Sequence, residues 1–292
     1  MPSPRALGVS LALTSAASFG VMPVLTKVVY AGGTGPLGVL SVRFSLAAVV
    51  LLGLARCRGE PLPRGRQLRS LLLLGGVGYV VESLCYFFAL TRISAGLTAL
   101  LLYLYPALVV VLSAVLLGHR PRPVALAGVA VATVGTGLTI GPVGGGQTVG
   151  VLLGLAAAAS YALYIVLSSR ASSGVGPLAT SAVVMGACGA VYDVLALATG
   201  ASLPHAAGPW LALVAVSLLG TVVAVAAFFG ALALLGPADT AVVSTAEPVV
   251  SVAVAGLAFG DRLTPWQLAG GALVLIAVLV LARTPTPEPV PV

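Results

Sequence analysis

Five ionisable side chains interrupt long apolar stretches of this sequence, and each needs a specific physical reason to be there. They are Lys27, Arg43, Glu82, Asp193 and Glu247. A charge at the centre of a membrane-spanning helix costs at least about 2.5–3.5 kcal/mol, so it needs a partner, a wet cavity or a path to the interface. Residues of this kind are therefore the first candidates for a functional site.

The surroundings of Glu82 are typical of a wall that receives an ammonium group or an aromatic ring. Tyr79, Glu82 and Tyr86 recur at i, i+3 and i+7, which places them on one helix face. A carboxylate flanked by phenols offers both charge and aromatic surface to a substrate. In the alternative, Glu82 only pairs with Arg43 or Lys27, and the sequence leaves both interpretations open.

Glu247 is the second carboxylate candidate, because it precedes Pro248 and shares a helix face with Ser244. A proline removes one backbone donor and frees a carbonyl about one turn earlier, so polar backbone and a carboxylate meet here. We expect Glu247 and Ser244 to line a central path, the alternative for Glu247 being a tie between helices. Pro248 and Pro106, its counterpart in the repeat described below, are the candidate hinges.

Other polar residues in the apolar stretches have weaker signals. Tyr161 and Tyr164 are cavity candidates if a substrate ring must stack there. Lys27 can either snorkel to the interface or line a cavity. Arg43 lies too deep to snorkel, so we expect a structural or gating charge that pairs with a carboxylate or with helix-end carbonyls, the alternative being direct contact with a substrate. Asp193 is expected near an interface, without a role in the cavity.

Membrane helices are the elements that must position these residues. With 59% hydrophobic and 7% charged residues, the chain has too little polar surface for a water-soluble globule. Its apolar stretches are near the roughly 20 residues that span hydrocarbon, and they lack strand-like alternation. We predict an all-α integral membrane protein with ten transmembrane helices, at residues 7–29, 35–55, 68–90, 94–117, 123–141, 148–168, 178–199, 209–234, 239–259 and 264–282.

Basic residues give this arrangement an orientation. Ten arginines fall in the termini and loops on one side of the predicted bundle, and only Arg92 and Arg262 fall on the other. Positive loops face the cytoplasm, so we expect both termini there, in a cytoplasmic (inner) membrane. The net charge of +7 therefore needs no nucleic-acid partner, because anionic lipid headgroups suffice.

An internal repeat divides the chain. A shift of 142 positions aligns residues 86–140 with 228–282 without a gap and superposes the pairs Pro106/Pro248, Gly118/Gly260, Arg120/Arg262 and Pro123/Pro265. We predict one five-helix repeat at 1–142, a second at 143–284 and a disordered Pro-rich tail at 285–292. An odd number of helices in each half inverts the second repeat, which is the geometry that alternating access uses in many carriers.

The order of several segments carries a family resemblance. In the first half these are Lys27 at the end of the first span, SVRFSLAA at 41–48 and YFFALTRISAGLTALLLYLYPALVVVLSAVLLG at 86–118. The second half adds FFGALALLGPADTAVVSTAEPVVSVAVAGLAFGDRLTPWQLAGGALVLIA at 228–277. The chain resembles the EamA-type carriers of the drug/metabolite transporter superfamily. His119 and Asp261 stand where that family usually has Glu, a departure that affects loop contacts rather than the fold.

The resemblance implies a secondary transporter that moves amino acids or related metabolites outward. Its substrate would be a small molecule, zwitterionic or aromatic, and a carboxylate such as Glu82 or Glu247 could carry a coupling proton. A flippase for a lipid-linked substrate, or a channel in the same helical bundle, is the alternative. We expect no cofactor, no metal and no enzyme activity, since the sequence has no metal-ligand, nucleophile–base or ATP-binding pattern.

Overall fold

The described part of the chain is a bundle of helices. The computed structural model describes residues 4–105, 145–171, 174–244, 246–260 and 264–282, with isolated positions between 107 and 138. All regular elements in those ranges are helical, as the sequence predicts. Six helical segments there are long and apolar enough to cross a membrane by length and composition: Pro4–Ala31, Pro36–Cys57, Gly65–Ala89, Gln147–Ser168, Pro177–Thr199 and Ala207–Phe228. Most of the predicted fifth span, 123–141, lies outside the described residues.

The structure gives bounds for thirteen helical elements within the described residues. In chain order they are α1 (Pro4–Ala31), α2 (Pro36–Cys57), α3 (Gly65–Leu73), the π-helix π1 (Leu74–Tyr79), α4 (Val80–Ala89), α5 (Ala95–Leu102), α6 (Gly145–Ala171), α7 (Pro177–Thr199), α8 (Ala207–Ser217), the π-helix π2 (Leu218–Val223), α9 (Ala224–Ser244), α10 (Ala246–Phe259) and α11 (Pro265–Ala282). Prolines begin α2 and α7, where a missing N–H leaves no helical hydrogen bond unmade. Gly200 ends α7 with φ at 63°, in the left-handed region that glycine adopts without a Cβ clash.

One break interrupts the fourth predicted span. α5 ends at Leu102, and Tyr103 and Leu104 form a turn where the sequence predicts a helix over 94–117. The backbone is helical again at Tyr105. The candidate hinge Pro106 comes next in the chain and lies outside the described residues.

The ninth predicted span is described as α9 and α10, on either side of Thr245, which lies outside the described residues. α9 continues through the predicted loop at 235–238 to Ser244, and α10 is described from Ala246. Pro248, two positions further along α10, has no N–H to donate to the carbonyl of Ser244, so this carbonyl lacks a helical donor. Glu247 lies beside this gap in the helical hydrogen bonds.

Helix ends meet in pairs at the two ends of the bundle. At one end, the hydroxyl of Ser202, after α7, donates to the carbonyl of Gly33, before α2, at 2.9 Å. At the other end, the backbone N–H of Ala179, in the first turn of α7, donates to Oε2 of Glu60, after α2, at 2.9 Å. The packed helices α2 and α7 therefore run antiparallel.

Several contacts between helices occur twice. The second copy is obtained when 142 is added to the residue number in the first half and subtracted from the residue number in the second half. α1 packs along α9 and α10, while α6 packs along α4 and α5. A Cβ placed on Gly78 would lie 3.5 Å from Tyr164, and one placed on Gly220 would lie 3.0 Å from Met22. Adding 142 converts 78 to 220 and 22 to 164. A second pair of glycine contacts obeys the same shift: Gly8 against Leu235 and Gly150 against Ile93.

The contact between π1 and α7 predicts the effect of one methyl group. A Cβ at Gly75 would lie 2.6 Å from the carbonyl oxygen of Val184 and 2.9 Å from its Cα. Because backbone cannot move aside as a side chain can, we expect Gly75→Ala to cost about 1–3 kcal/mol and to lower the Tm in detergent.

The matched control is Gly53→Ala in α2, where an added Cβ meets nothing within 4 Å. Alanine is the better helix former, so this variant should keep or raise the Tm. Equal losses in both variants would contradict the packing argument.

Candidate functional site

Glu82 lies in the first turn of α4, directly after π1, and is 7% exposed. Neither a hydrogen bond nor an ion pair within 4.0 Å joins its carboxylate to any described residue. The direct pairing with Arg43 or Lys27 that the sequence left open is therefore not present. Both Arg43 and Glu247 still lie within electrostatic range of it. An almost buried carboxylate without a partner inside a membrane protein is a functional-site candidate.

The predicted aromatic residues assemble beside Glu82. The Tyr79 ring lies 5.1 Å from the Tyr164 ring and 6.4 Å from the Tyr161 ring, measured between centroids. Tyr161 in turn lies 4.8 Å from Tyr105, which lies 5.8 Å from Tyr103. These five rings, which we call the tyrosine wall, come from π1, α6 and the end of α5. The sequence predicted the three from π1 and α6, and did not predict the two from the break after α5.

Tyr86 takes a different position from the one its spacing suggested. It is 3% exposed, and its ring lies 5.8 Å from that of Phe87. No ring contact joins it to the tyrosine wall in the part of the chain that the structure describes. Tyr86 is therefore a buried neighbour of the candidate site, while Tyr79 alone carries the predicted aromatic face into the wall.

Arg43 has partners that the sequence did not predict. It is 2% exposed, and its Nε donates to Oγ1 of Thr221 in π2 at 2.7 Å. The guanidinium carbon lies 4.6 Å from the centroid of Phe44 and 5.0 Å from that of Phe87. The expected pair with a carboxylate or with helix-end carbonyls is wrong, because a hydroxyl and two aromatic faces stabilise the cation instead.

These ring contacts also place Arg43 near Glu82. Phe87 lies on α4, about one turn after Glu82. The Phe44 ring lies 5.8 Å from the ring of Tyr79, and Tyr79 lies about one turn before Glu82. Within the described residues, the buried side-chain polar atoms without a hydrogen-bond partner are the hydroxyls of Thr34, Thr180 and Ser244. The unpaired carboxylate of Glu82 is not among these enclosed atoms, and 7% of the Glu82 surface is exposed.

Glu247 is held by Tyr103. The Tyr103 hydroxyl lies 3.0 Å from Oε2 of Glu247 and 2.6 Å from the carbonyl oxygen of Ser244, and it donates towards both. This carbonyl is the one that Pro248 leaves without a helical donor. The freed carbonyl predicted from the sequence is therefore present, and it is bound by a side chain from the turn after α5. The hydroxyl of Ser244 itself is buried and has no partner among the described residues.

Lys27 lies at an open cavity of about 580 Å³ near the end of α1. Its Nζ donates to the carbonyl of Ile93 at 2.9 Å, so the ammonium satisfies a backbone group beyond α4. Lys27 thus lines a cavity, but neither Glu82 nor Glu247 contributes to that cavity. The other lining residues include Tyr30, Thr34, Leu90, Thr91 and Ser202.

Asp193 joins two helices. Its carboxylate accepts hydrogen bonds from Ser41 and from Ser45, the latter at 2.8 Å, and both serines lie on α2. Ser45 also lies against Gly189, where an added Cβ would be 2.8 Å from its Oγ. Asp193 therefore holds α7 to α2 and does not border the tyrosine wall. Among the described residues, no group of three or more His, Cys, Asp or Glu side chains could hold a metal ion.

Comparison with known proteins decides the family. The model of the EamA-like transporter family matches residues 6–141 and again residues 148–283. The chain belongs to the EamA-like transporter family. An uncharacterized transporter of Archaeoglobus fulgidus is 28% identical over 220 residues, which are 74% of this chain and 77% of that protein. The uncharacterized inner membrane transporter YedA of Escherichia coli K12 is 28% identical over 257 residues, 84% of this chain and 81% of YedA.

One solved crystal structure has the same fold. It is 23% identical in sequence and superposes with a TM-score of 0.67 over 94% of this chain and 96% of that chain. The EamA-family chain is thus a multi-pass membrane transporter whose helices surround two glutamates, a buried arginine and a wall of tyrosines. Sequence reasoning missed Tyr103, Tyr105 and Thr221 as site residues, and the available signal was the position of Tyr103 three residues before Pro106.

The contact between Arg43 and Thr221 predicts a stability change in this EamA-family protein. Thr221→Val keeps the shape of a side chain that is 0% exposed but removes the acceptor of the Arg43 Nε–H. A buried donor left unpaired costs about 1–3 kcal/mol, so the Tm in detergent should fall. Thr199→Val is the control, because the Thr199 hydroxyl is exposed and bonds only the carbonyl of Leu195 in its own helix. A loss as large in the control would contradict the assignment.

The link between Tyr103 and Glu247 can be tested by a double-mutant cycle. Tyr103→Phe removes the hydroxyl that donates to Ser244 and Glu247 and should cost about 1–3 kcal/mol in the free energy of unfolding. Combined with Glu247→Gln, the two effects should depart from additivity by about 0.5–3 kcal/mol. Additive losses would mean that Tyr103 and Glu247 do not interact.

Proposed function

We propose that this protein is a secondary transporter, an exporter of small polar metabolites such as amino acids, and that it works by alternating access. One observation carries the proposal: Glu82 is nearly buried, lacks a partner among the described residues and borders the tyrosine wall. A packed structural carboxylate would have its hydrogen bonds filled from within the protein. A carboxylate that binds a substrate or a proton would instead lack a hydrogen-bond partner within the protein.

Two inverted five-helix repeats, at 1–142 and 143–284, would supply the movement. The two family matches begin 142 residues apart and end 142 residues apart, which supports this division. The exchanged contacts of α1 and α6 support a two-fold relation between the halves. α1 ends beside Ser202, whereas the side chain of Gln67, at the start of α3, reaches the carbonyl of Ala171 at the end of α6. Equivalent helices that end at opposite ends of the bundle are what inversion requires.

Orientation and coupling follow from the charges. The arginines concentrated at the termini and between α2 and α3 favour cytoplasmic termini. YedA is named an inner membrane transporter, which supports a cytoplasmic membrane for this chain. Glu82 and Glu247 are the groups that could carry a proton with the substrate. The proposed hinges are Pro106, which follows the turn after α5, and Pro248, which leaves the carbonyl of Ser244 without a helical donor.

Purified protein in liposomes tests the proposal. We expect counterflow of labelled amino acids, with a rate that a pH gradient changes if a proton is coupled. Glu82→Gln and Glu247→Gln should each depress the rate while the proteins still insert and fold, because each removes a charge from the path. Val81→Ala is the matched control, since Val81 precedes Glu82 on α4 and is 46% exposed on the outside of the bundle.

Two results would change the assignment. Wild-type rates in both glutamine variants would remove Glu82 and Glu247 from the mechanism. If no solute exchanges while a labelled lipid changes leaflet, the protein is a flippase instead.

A further inference from the structure

The charges around the tyrosine wall do not balance. Glu82 and Glu247 supply two carboxylates, and Arg43 supplies the one cation within electrostatic range of Glu82 among the described residues. Two other charged side chains inside the described helices are engaged elsewhere. Lys27 donates to the carbonyl of Ile93, and Asp193 accepts from two serines of α2. With both glutamates ionised, Glu82, Glu247 and Arg43 together carry a net charge of about −1, which favours a cationic occupant.

Arg43 is poorly placed to bind a substrate. Its Nε is bound by Thr221, and Phe44 and Phe87 lie against its guanidinium. Only 2% of its surface is exposed, compared with 7% for Glu82, while Glu247 is partly exposed. A carboxylate arriving from a substrate would displace these contacts and would approach two glutamates at once. Arg43 therefore offsets part of the buried negative charge and is not available to bind a substrate carboxylate.

Aromatic rings line the carboxylate side of the site. Glu82 follows Tyr79 by one turn, and the rings of Tyr164 and Tyr161 lie within 6.4 Å of the Tyr79 ring. The rings continue through Tyr105 and Tyr103 to the carboxylate of Glu247. Ammonium groups bind at carboxylates and over the faces of tyrosine rings, and an attached aromatic ring can stack on the same wall.

From this we infer that the ammonium group is what the site recognises and that a carboxylate on the substrate is dispensable: the preferred class is a monocationic amine with an aromatic or apolar body. The inference rests on the proposed transport function and narrows its substrate class. An amino acid carries a carboxylate, and Arg43, already bound by other side chains, is not available to bind it. Amine and amino acid differ here by one group, so the distinction can be measured.

The experiment compares three solutes with the same ring and chain length in proteoliposomes. They are phenethylamine, phenylalanine and 3-phenylpropanoate, which carry the ammonium alone, both charges, and the carboxylate alone. We expect phenethylamine to bind at least as tightly as phenylalanine, and 3-phenylpropanoate at least about tenfold more weakly than either. Trimethylphenethylammonium, which cannot cross a bilayer as a neutral amine, should also exchange and so excludes passive leakage.

Variants separate recognition from folding. Glu82→Gln should weaken binding of the amine by at least about tenfold, since a charge-assisted contact is lost. Glu82→Asp keeps the carboxylate and should retain part of the affinity, while Val81→Ala should match the wild type. Monodisperse elution and an unchanged Tm show that each variant is folded, and thermal stabilisation by the ligand gives a second measure of binding.

Two outcomes overturn the inference. If phenylalanine exchanges and phenethylamine does not, the site needs the carboxylate, and the proposed transport of amino acids stands without this narrowing. If Glu82→Gln binds the amine as the wild type does, Glu82 is not the ammonium site. Failure of every solute to exchange would count against the transport function itself, and is thereby distinct from these two results.

Discussion

In hydrocarbon a polar group of the chain has no water to bind, and much of this structure follows from that constraint. The clearest case is the carbonyl of Ser244, which loses its helical donor because Pro248 has no N–H. Tyr103 supplies the missing donor from the turn after α5, at 2.6 Å, and the same hydroxyl lies 3.0 Å from Glu247. One proline thus requires a side chain from a different part of the sequence, and that side chain ties the turn after α5 to α9 and α10 beside a carboxylate.

The two π-helices answer the same constraint in a different way. A π-turn widens the helix and leaves backbone groups that side chains can reach. The Cys188 thiol donates to the carbonyl of Gly75 in π1 at 3.1 Å, and Thr221 in π2 lies 3.5 Å from the carbonyl of Val216 while it accepts from Arg43 at 2.7 Å. Each widened turn thereby presents a polar or aromatic residue to the interior, Tyr79 in π1 and Thr221 in π2.

The sequence indicated which polar groups would require a partner but not which residues would supply it. Helical spacing placed Tyr79 beside Glu82, and Pro248 predicted a free carbonyl near Ser244, because both effects are local in the chain. The predicted partner of Arg43 was wrong. Its actual partner, Thr221, is a neutral side chain 178 positions away, and nothing in the sequence around Thr221 sets it apart. Tyr103 was missed because its partners, Ser244 and Glu247, are 141 and 144 positions away. Pro106 indicated a hinge nearby, but the apolar run did not indicate that the turn would lie at Tyr103 and Leu104.

The repeated backbone and the unrepeated side chains have separate consequences. A shift of 142 relates Tyr79 to Thr221, Glu82 to Ala224, Arg43 to Met185 and Glu247 to Tyr105, so no charged residue of the site has a charged counterpart. The helix contacts repeat, whereas the chemistry occurs once. Under the proposed alternating access, a symmetric bundle would have equal energies in its two exchanged arrangements. Contacts made only once, such as that of Arg43 with Thr221, remove this equality and stabilise one arrangement over the other. A substrate that binds Glu82 then acts on a transporter with a resting preference, and it changes that preference only as far as it binds the two arrangements unequally.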